Sequence, residues 1–414
     1  MTVTNWARNV VFQAGQVRRP SSVDELRTMV AGSARVRALG TGHSFNELAD
    51  TEGELVSVAG LPPVAEIDRE AATVRVTAGT RYGELATTLH AAGFALPNLG
   101  SLPHISVGGA CATGTHGSGR RNGNLATAVA ALELVTGTGD LLTLDRTDDR
   151  FPGAAVHLGS LGVVTHLTLD LVPTFEIRQY VYDGLPAASV RGCFDEVLDA
   201  AYSVSLFTSW SGRGIDQVWV KSTDGDGFAA PARWHGAELA DSPRHPIGSM
   251  SPVHCTAQQG VAGPWHERLP HFRLDFTPSS GDELQSEFFM PRESAPAAYA
   301  ALEPIAPLIA PVLQISEIRT VAADDLWLSP AYGRDSVAFH FTWIADAAAV
   351  APVLAAVEQA LSPFTPRPHW GKVFSLDPAQ VRAAYPRLPD FLDLRAALDP
   401  QGRFRNPFTD RYLH

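Results

Sequence analysis

Lysine is nearly missing from this chain. Among 32 basic residues in 414, only Lys221 and Lys372 are lysine and the rest are arginine. Arginine keeps its proton in proteins, whereas a lysine pKa moves readily on burial. Each lysine is therefore worth a chemical question. Lys372, in His369-Trp-Gly-Lys372, stands out as a functional candidate, while Lys221, in Trp219-Val-Lys-Ser, reads as a surface residue. Cysteine is scarce too. Cys111, Cys193 and Cys255 are too few for a disulfide framework and lack metal-ligand spacing. A reducing, cytoplasmic setting is the simplest expectation. No apolar run reaches a membrane span, and Met-Thr-Val-Thr-Asn-Trp-Ala-Arg-Asn-Val lacks the basic-then-apolar order of a signal peptide. Internal repeats are absent. So is a positive charge balance: the formal net charge of −12 argues against nucleic acid or an anionic membrane as partner.

What is present is an ordinary globular composition, 45% hydrophobic and 18% charged, with length for two domains and a large core. The 35 glycines and 30 prolines are scattered and read as turns. Two glycine runs are not scattered. A short strand, Val36 to Leu39, runs into Gly40-Thr41-Gly42-His43-Ser44-Phe45, and about sixty residues on comes Ser106-Val-Gly108-Gly109-Ala-Cys-Ala-Thr113-Gly114-Thr115-His116-Gly117-Ser118-Gly119. Glycine lets a backbone approach a ligand closely and exposes amide donors, which suits a pyrophosphate. A Rossmann fingerprint needs a third glycine where this chain has Phe45, so that reading fails. No Walker-type Gly-Lys-Ser/Thr occurs. His104 and His116 lack acidic or cysteine partners at ligand spacing, so no metal site is expected. Taken alone, His43 could be a loop histidine bonded to backbone. Beside two phosphate-type loops it points to a flavin with an imidazole tether.

The segments Gly40-Thr-Gly-His-Ser and Gly114-Thr-His-Gly resemble the flavin domain of the vanillyl-alcohol-oxidase superfamily. Leu284-Gln-Ser-Glu-Phe-Phe-Met-Pro-Arg292, Glu317-Ile-Arg319-Thr, His340-Phe-Thr342-Trp and His369-Trp-Gly-Lys372 narrow the resemblance to the alditol oxidases. The resemblance implies an α+β class and a two-domain FAD-binding fold of the PCMH type. Its parts would be an FAD-binding domain over 1–173, a substrate-binding cap of antiparallel sheet backed by helices over 174–375, and a C-terminal segment over 376–414 that returns to the FAD domain. It implies FAD held by Gly40, Thr41, Gly42, Ser44, Phe45, Ser101, Ser106, Gly109, Thr113, Gly114, Thr115, His116, Gly117 and Val163, with an 8α-histidyl bond through His43. The loop 97–103 contains no cysteine, so a single covalent link is expected.

Local signals agree with alternating elements in the first section. Val10 to Gln13 reads as a strand. Ser22 with Glu25 three residues on reads as a capping box for a helix to about Ala31. A helix is expected from about Tyr82 to Ala92, and Gly137-Thr-Gly-Asp140 marks a hairpin between Ala128–Thr136 and Leu141–Leu144. A short helix near residues 106–119 would favour a phosphate at its N-terminus. The stretch from Asp224 to Pro252 reads as irregular.

In the later half, alternation puts Glu317 and Arg319 on one strand face, and His340 and Thr342 on another, with Phe339, Phe341 and Trp343 behind. The plain alternative for Glu317 and Arg319 is an exposed, salt-bridged strand face. The resemblance instead implies a polyol pocket of Ser101, Gln285, Glu317, Arg319, His340, Thr342 and Lys372. Arg319 and Lys372 would flank the reacting C1 hydroxyl, and the proton acceptor stays open. Gly100 departs from the family, where alanine is more usual, and would leave room for dioxygen. The expected activity is an FAD-dependent oxidase, a monomer, acting on linear polyols with O2. The rivals are a sugar-lactone dehydrogenase of the same superfamily and a non-catalytic polyol- or flavin-binding protein.

Overall fold

The computed structural model describes residues 2–276 and 282–414. In the first section, β1 (Val17–Arg18), α1 (Val23–Gly32), β2 (Val36–Ala38) and β3 (Glu54–Val56) form a small unit in which β3 pairs in parallel with both β1 and β2. The Ser22 hydroxyl accepts from the Glu25 amide, as the capping signal predicts. The Glu25 carboxylate reaches one residue further back, to the Ser21 amide and hydroxyl. Leu26 and Val30 of α1 are buried against Val36, Val56 and Phe404. The expected strand at Val10–Gln13 is absent. A single bridge, Thr4 to Val11, is all the pairing there. Val10 and Phe12 are buried and Val11 is exposed, so the alternation is real, but the segment bonds to Val3, Asn5 and Asp50, and the preceding Asn5, Trp6 and Asn9 clamp the His43 loop.

Next, β4 (Ala65–Asp68), β5 (Thr73–Thr77), α2 (Tyr82–Ala91), α3 (Val107–Ala112), β6 (Val129–Val135), β7 (Leu141–Asp145) and β8 (Val163–Asp170) build an antiparallel sheet in the order β4-β5-β8-β6-β7. The hairpin and the helix stopped by Gly93 lie where the turn residues predict. Gly108 sits so close to Ala78 that a Cβ would come within 2.8 Å of the Ala78 Cβ, which is why the second glycine run must be small-residued.

The later half centres on a ten-stranded antiparallel sheet. Its elements are β9 (Glu176–Pro186), α4 (Ala187–Leu198), β10 (Ser203–Thr208), β11 (Gly214–Ser222), β12 (Glu283–Pro291), α5 (Ala295–Leu302), β13 (Leu313–Val321), β14 (Ser336–Ile344) and α6 (Ala347–Leu361), with the central order β9-β11-β10-β13-β14-β12. One face is apolar and lies under the helices: Tyr299 of α5 stacks on Trp210, which stacks on Phe341, which stacks on Trp343. Between Asp224 and Pro252 the expected irregularity is broken by one short strand pair, Arg233–Trp234 with Ala237–Leu239. Two helical stretches, 292–312 and 347–364, have the length and hydropathy of a membrane span, which counting uninterrupted apolar runs overlooks. The first is broken into short turns at prolines, and Arg292 at its start is paired with Asp195 and Asp199.

The tail, α7 (Pro378–Ala383), α8 (Leu388–Leu398) and α9 (Pro407–Leu413), packs onto the first section. The fully buried Arg37 donates to the carbonyls of Phe404, Leu158, Gly159 and Leu48, and Asn406 donates to those of Glu47, Leu48 and Asp50.

Candidate active site

The strand β2 delivers the chain into the His43 loop. Gly42 has φ +73, a left-handed conformation that costs glycine nothing, and its carbonyl accepts from the Trp6 amide. The Trp6 ring stacks on the His43 imidazole at 4.8 Å and 21°. His43 Nδ1 lies 3.0 Å from the Thr41 hydroxyl. Burial, with His104 adding to it, pushes the His43 pKa down to about 4, so the ring is neutral and its nitrogen lone pair is available. Just beyond, the Asn46 amide donates to the carbonyls of Trp370 and Lys372, both at 2.8 Å, and the Phe45 amide donates to Gly371. The loop carrying His43 is thus bolted to the segment carrying Lys372.

A cavity of about 1070 Å³ runs from this loop to the polar face of the large sheet. Gly40, Thr41, Gly42, His43, Ser44, Phe45, Gly100, Ser101, Ser106, Gly109, Thr113, Thr115, His116 and Val163 line it from the first section. Gln285, Glu317, Arg319, His340, Thr342 and Lys372 line it from the second. Gly114 and Gly117 do not line it. An added Cβ at Gly114 would press on Pro330, and one at Gly117 on Asn98 and the Leu99 carbonyl, so their role here is close packing. Ser106 Oγ is buried without a partner among the described residues. It sits between two glycines, where a Cβ on Gly40 would come within 2.6 Å and one on Gly109 within 3.0 Å. A narrow backbone cradle with an unspent hydroxyl fits a dinucleotide's phosphates.

Register explains the other wall. Glu287 on β12 is opposite His340 on β14, His340 is opposite Glu317 on β13, and Glu317 is opposite Phe207 on β10. One row along, Gln285 pairs with Thr342. All these side chains therefore share the face away from the helices. Glu317 and Arg319 are both 5% exposed, which rules out the solvated strand face.

The bonding is dense. Arg319 donates to Glu287 Oε1 at 2.6 Å and to the Ser101 hydroxyl at 3.3 Å, with its Nε 3.6 Å from Glu317 Oε2. Lys372 Nζ donates to Glu287 Oε2 at 2.6 Å. His116 Nε2 lies 3.1 Å from Glu287 Oε1. Burial works against the Glu287 charge, but Lys372, Arg319 and His116 outweigh it and hold its carboxyl well below the usual range. Glu317 is likewise held low, against burial, by Arg319 and His271. The Arg319 pKa is raised, its two carboxylates overcoming burial. Burial lowers the Lys372 pKa, with Glu287 pulling the other way and Arg319 assisting the fall.

His340 is set differently. Gln285 Nε2 donates to Glu283 Oε1 at 2.6 Å, which turns its amide oxygen toward His340 Nε2 at 3.1 Å. His340 Nε2 is therefore the protonated nitrogen, and Nδ1 is a bare acceptor without a partner among the described residues. Burial keeps its pKa well below normal, so it stays neutral.

Sequence reading missed Glu287, although Gln285 and Glu287 stand at the same two-residue spacing as Glu317 and Arg319. It missed His271, a loop residue with no local signal, whose Nε2 lies 2.8 Å from Glu317 Oε1. It misplaced Lys221, which is 1% exposed and bonded to His271, because a strand running Trp-Val-Lys at the centre of a wide sheet has no solvent face to offer.

A PCMH-type flavin fold, with glycine loops and a neutral histidine at one end of a cavity and paired cations on carboxylates at the other, defines an FAD-dependent oxidoreductase acting on CH–OH groups. Residues 14–145 match the FAD binding domain family and residues 283–412 the D-arabinono-1,4-lactone oxidase family. An alditol oxidase from Streptomyces sp. (strain IKD472 / FERM P-14339) is 52% identical over 411 residues, spanning 98% of this chain and 97% of that protein. An L-gulono-1,4-lactone dehydrogenase from Mycobacterium tuberculosis is 29% identical over 99% of this chain and 98% of its own length. A solved cholesterol oxidase from Brevibacterium sterolicum superposes with a TM-score of 0.80 at 15% identity, over 100% of this chain and 97% of that one, which supports the fold alone. The chain belongs to the alditol oxidase family, within the vanillyl-alcohol-oxidase superfamily, and it is an oxidase with a small-molecule substrate and O2 as acceptor.

Proposed function

We propose that the enzyme oxidises the primary C1 alcohol of linear polyols such as xylitol, sorbitol and glycerol to the aldehyde, with FAD joined covalently through His43 and O2 reduced to hydrogen peroxide. The observation that carries this reading is the polar row on one sheet face: a carboxylate acceptor, two cations and a neutral imidazole in one cavity that ends at His43. A polyol offers hydroxyls that each donate and accept, and this set answers both needs. The chemistry FAD supplies when bound is hydride acceptance at N5 and delivery of the electrons to dioxygen.

Arg319 and Lys372 flank the C1 hydroxyl and favour its deprotonated character. Glu317, held low, is an acceptor for a neighbouring hydroxyl and not the base. His340, kept neutral by burial, binds one of the remaining hydroxyls. Ser101 and Thr342 fix the remaining hydroxyls, and Gln285 sets the His340 tautomer. Holding the alcohol in one pose supplies much of the rate. The neutral His43, fixed by Thr41 and Trp6, is the expected attachment point for the flavin 8α-methyl.

The organisation that fits these roles is an FAD domain over 1–173, a substrate cap over 174–375 and a returning segment over 376–414. The three free cysteines agree with a reducing, cytoplasmic setting, and the enzyme is taken as a monomer. One sample tests the reading: a visible spectrum before and after xylitol without air, followed by acid precipitation. Bleaching and a yellow pellet are expected. A colourless pellet under a yellow supernatant removes the covalent bond at His43. A yellow pellet without bleaching removes the polyol, and a substrate preference for sugar lactones would then be the reading to take up.

A further inference from the structure

Lys221 lies behind the substrate wall and His271 within it, and neither has a part in the chemistry above. We propose that they form a positioning relay that fixes the orientation of Glu317 and thereby sets affinity for the polyol. The inference rests on the polyol reading of the site.

The geometry is specific. Lys221 stands on β11, paired with Gln179 on β9 and Ser203 on β10, deep under the sheet face. Its Nζ meets three acceptors: the Leu269 carbonyl, the Pro270 carbonyl at 3.3 Å and His271 Nδ1 at 3.1 Å. An ammonium has three N–H donors, and all three are used. His271 Nδ1 is therefore an acceptor. The proton of a neutral imidazole must then sit on Nε2, where it donates to Glu317 Oε1 at 2.8 Å. The ring cannot swing away, because Phe207 and Trp219 hold it edge-on at 5.4 and 5.3 Å. One oxygen of Glu317 is thus occupied from behind. The other, 3.6 Å from Arg319 Nε, is left for a substrate hydroxyl in the cavity that Glu317 lines.

The groups around Lys221 determine how the relay responds to pH. Glu317 and Arg319 face it from β13, and His271 and Cys255 from the loops beneath. The Cys255 thiol is pushed up to about 12 by burial and stays neutral. Burial brings Lys221 down to about 7 and His271 down to about 4. When Lys221 loses its proton, two N–H groups remain for three acceptors. The Nζ lone pair then competes for the place where Nδ1 accepts. A shift of the imidazole proton to Nδ1 would set the bare Nε2 against the Glu317 carboxylate. With that shift Glu317 loses its anchor as pH rises through about 7.

The test uses the full-length, FAD-loaded enzyme with xylitol, and compares Lys221→Met, Glu317→Gln and the double variant. A hydrogen bond to a charged group is at stake, so K221M should raise KM about tenfold below neutral pH, with kcat changed less than about threefold. K221M should add nothing further in the E317Q background, since it acts through Glu317. Wild-type KM should climb above about pH 7, and that climb should be missing in K221M. Unchanged KM in K221M at normal flavin absorbance, or additive effects in the double variant, overturns the relay. If K221M does not fold, the wild-type profile decides: a KM flat from about pH 6 to 9 overturns the relay and a rise supports it. An E317Q enzyme with wild-type KM sinks the polyol site itself, which separates the two failures.

Discussion

Glu287 and Lys372 meet at 2.6 Å in a place almost closed to water, the carboxylate being 1% exposed. The same carboxylate holds Arg319 at 2.6 Å, so a single residue sets the spacing of both cations beside the substrate.

Replacing that anchor by Glu287→Gln keeps the shape and removes the charge. Breaking one partner of a buried pair typically costs about 3–5 kcal/mol. Arg319 would keep Glu317 as its counter-ion, but Lys372 would lose the carboxylate it is bonded to and would shed its proton. The thermal midpoint should fall, and kcat for xylitol should drop about a hundredfold or more. A variant with wild-type turnover would show that Glu287 is only a structural pair.

Trp6 should matter for the tether more than for cofactor binding. Its ring covers one side of the His43 imidazole and its amide pins the Gly42 carbonyl. In Trp6→Leu the share of flavin that survives acid precipitation should fall while FAD is still bound in the native protein. In His43→Ala that share should reach zero. Full covalent loading in W6L would mean the stack does not orient the ring.

Gly100 lines the cavity at an ordinary φ, and an added Cβ would sit 3.6 Å from Thr115 Cγ2 and 3.7 Å from Ile105 Cδ1. Alanine is therefore accommodated without a clash, and its methyl group takes up cavity space. Stopped-flow measurement of the two half-reactions should show reoxidation by O2 slowed more than reduction by polyol in Gly100→Ala, and more again in Gly100→Val. Equal slowing in both halves would remove the claim that this glycine gives oxygen its room.

Acid should weaken the fold within a defined window. His157 and His271 are buried and neutral, each brought down to about 4 by burial, with Arg37 adding to the effect at His157 and Lys221 at His271. An unfolded histidine takes a proton near pH 6.5. The unfolded chain therefore binds protons first as pH falls. The stability these histidines contribute is complete above about 6.5 and is lost on the way down to about 4. The thermal midpoint should drop across that range, and His157→Gln should show a shallower drop. An identical slope in the variant would mean His157 is not one of the groups responsible.

Much of the fold was legible because its signals are local. The Ser22 cap, the Gly137–Asp140 hairpin and the stop at Gly93 each depend on a few neighbouring residues and lie where the sequence puts them. The Glu317/Arg319 and His340/Thr342 pairs were legible for the same reason: a period of two assigns a face without knowing the partner strand. Burial was not legible. Nothing local tells Trp219-Val-Lys221 that β9 and β10 flank it, so a lysine there reads as solvent-exposed. The strand expected at Val10–Gln13 fails for the converse reason, since alternation supplies a face but not a neighbour to pair with. Glu287 fell between these cases. Its spacing from Gln285 was visible, but its importance lies in contacts to Arg319, Lys372 and His116, which come from three distant parts of the chain.

The scarcity of lysine has a practical side once both lysines are located. Lys221 lies under the sheet and Lys372 is tied to Glu287 inside the cavity, so no lysine amine is displayed on the outer surface. An aldehyde leaving the active site meets no lysine amine outside with which to condense, and the one it passes within is tied to Glu287. The same property means that glutaraldehyde or succinimide esters have no lysine handle for fixing this enzyme to a support, and that surface carboxylates are the groups to couple through.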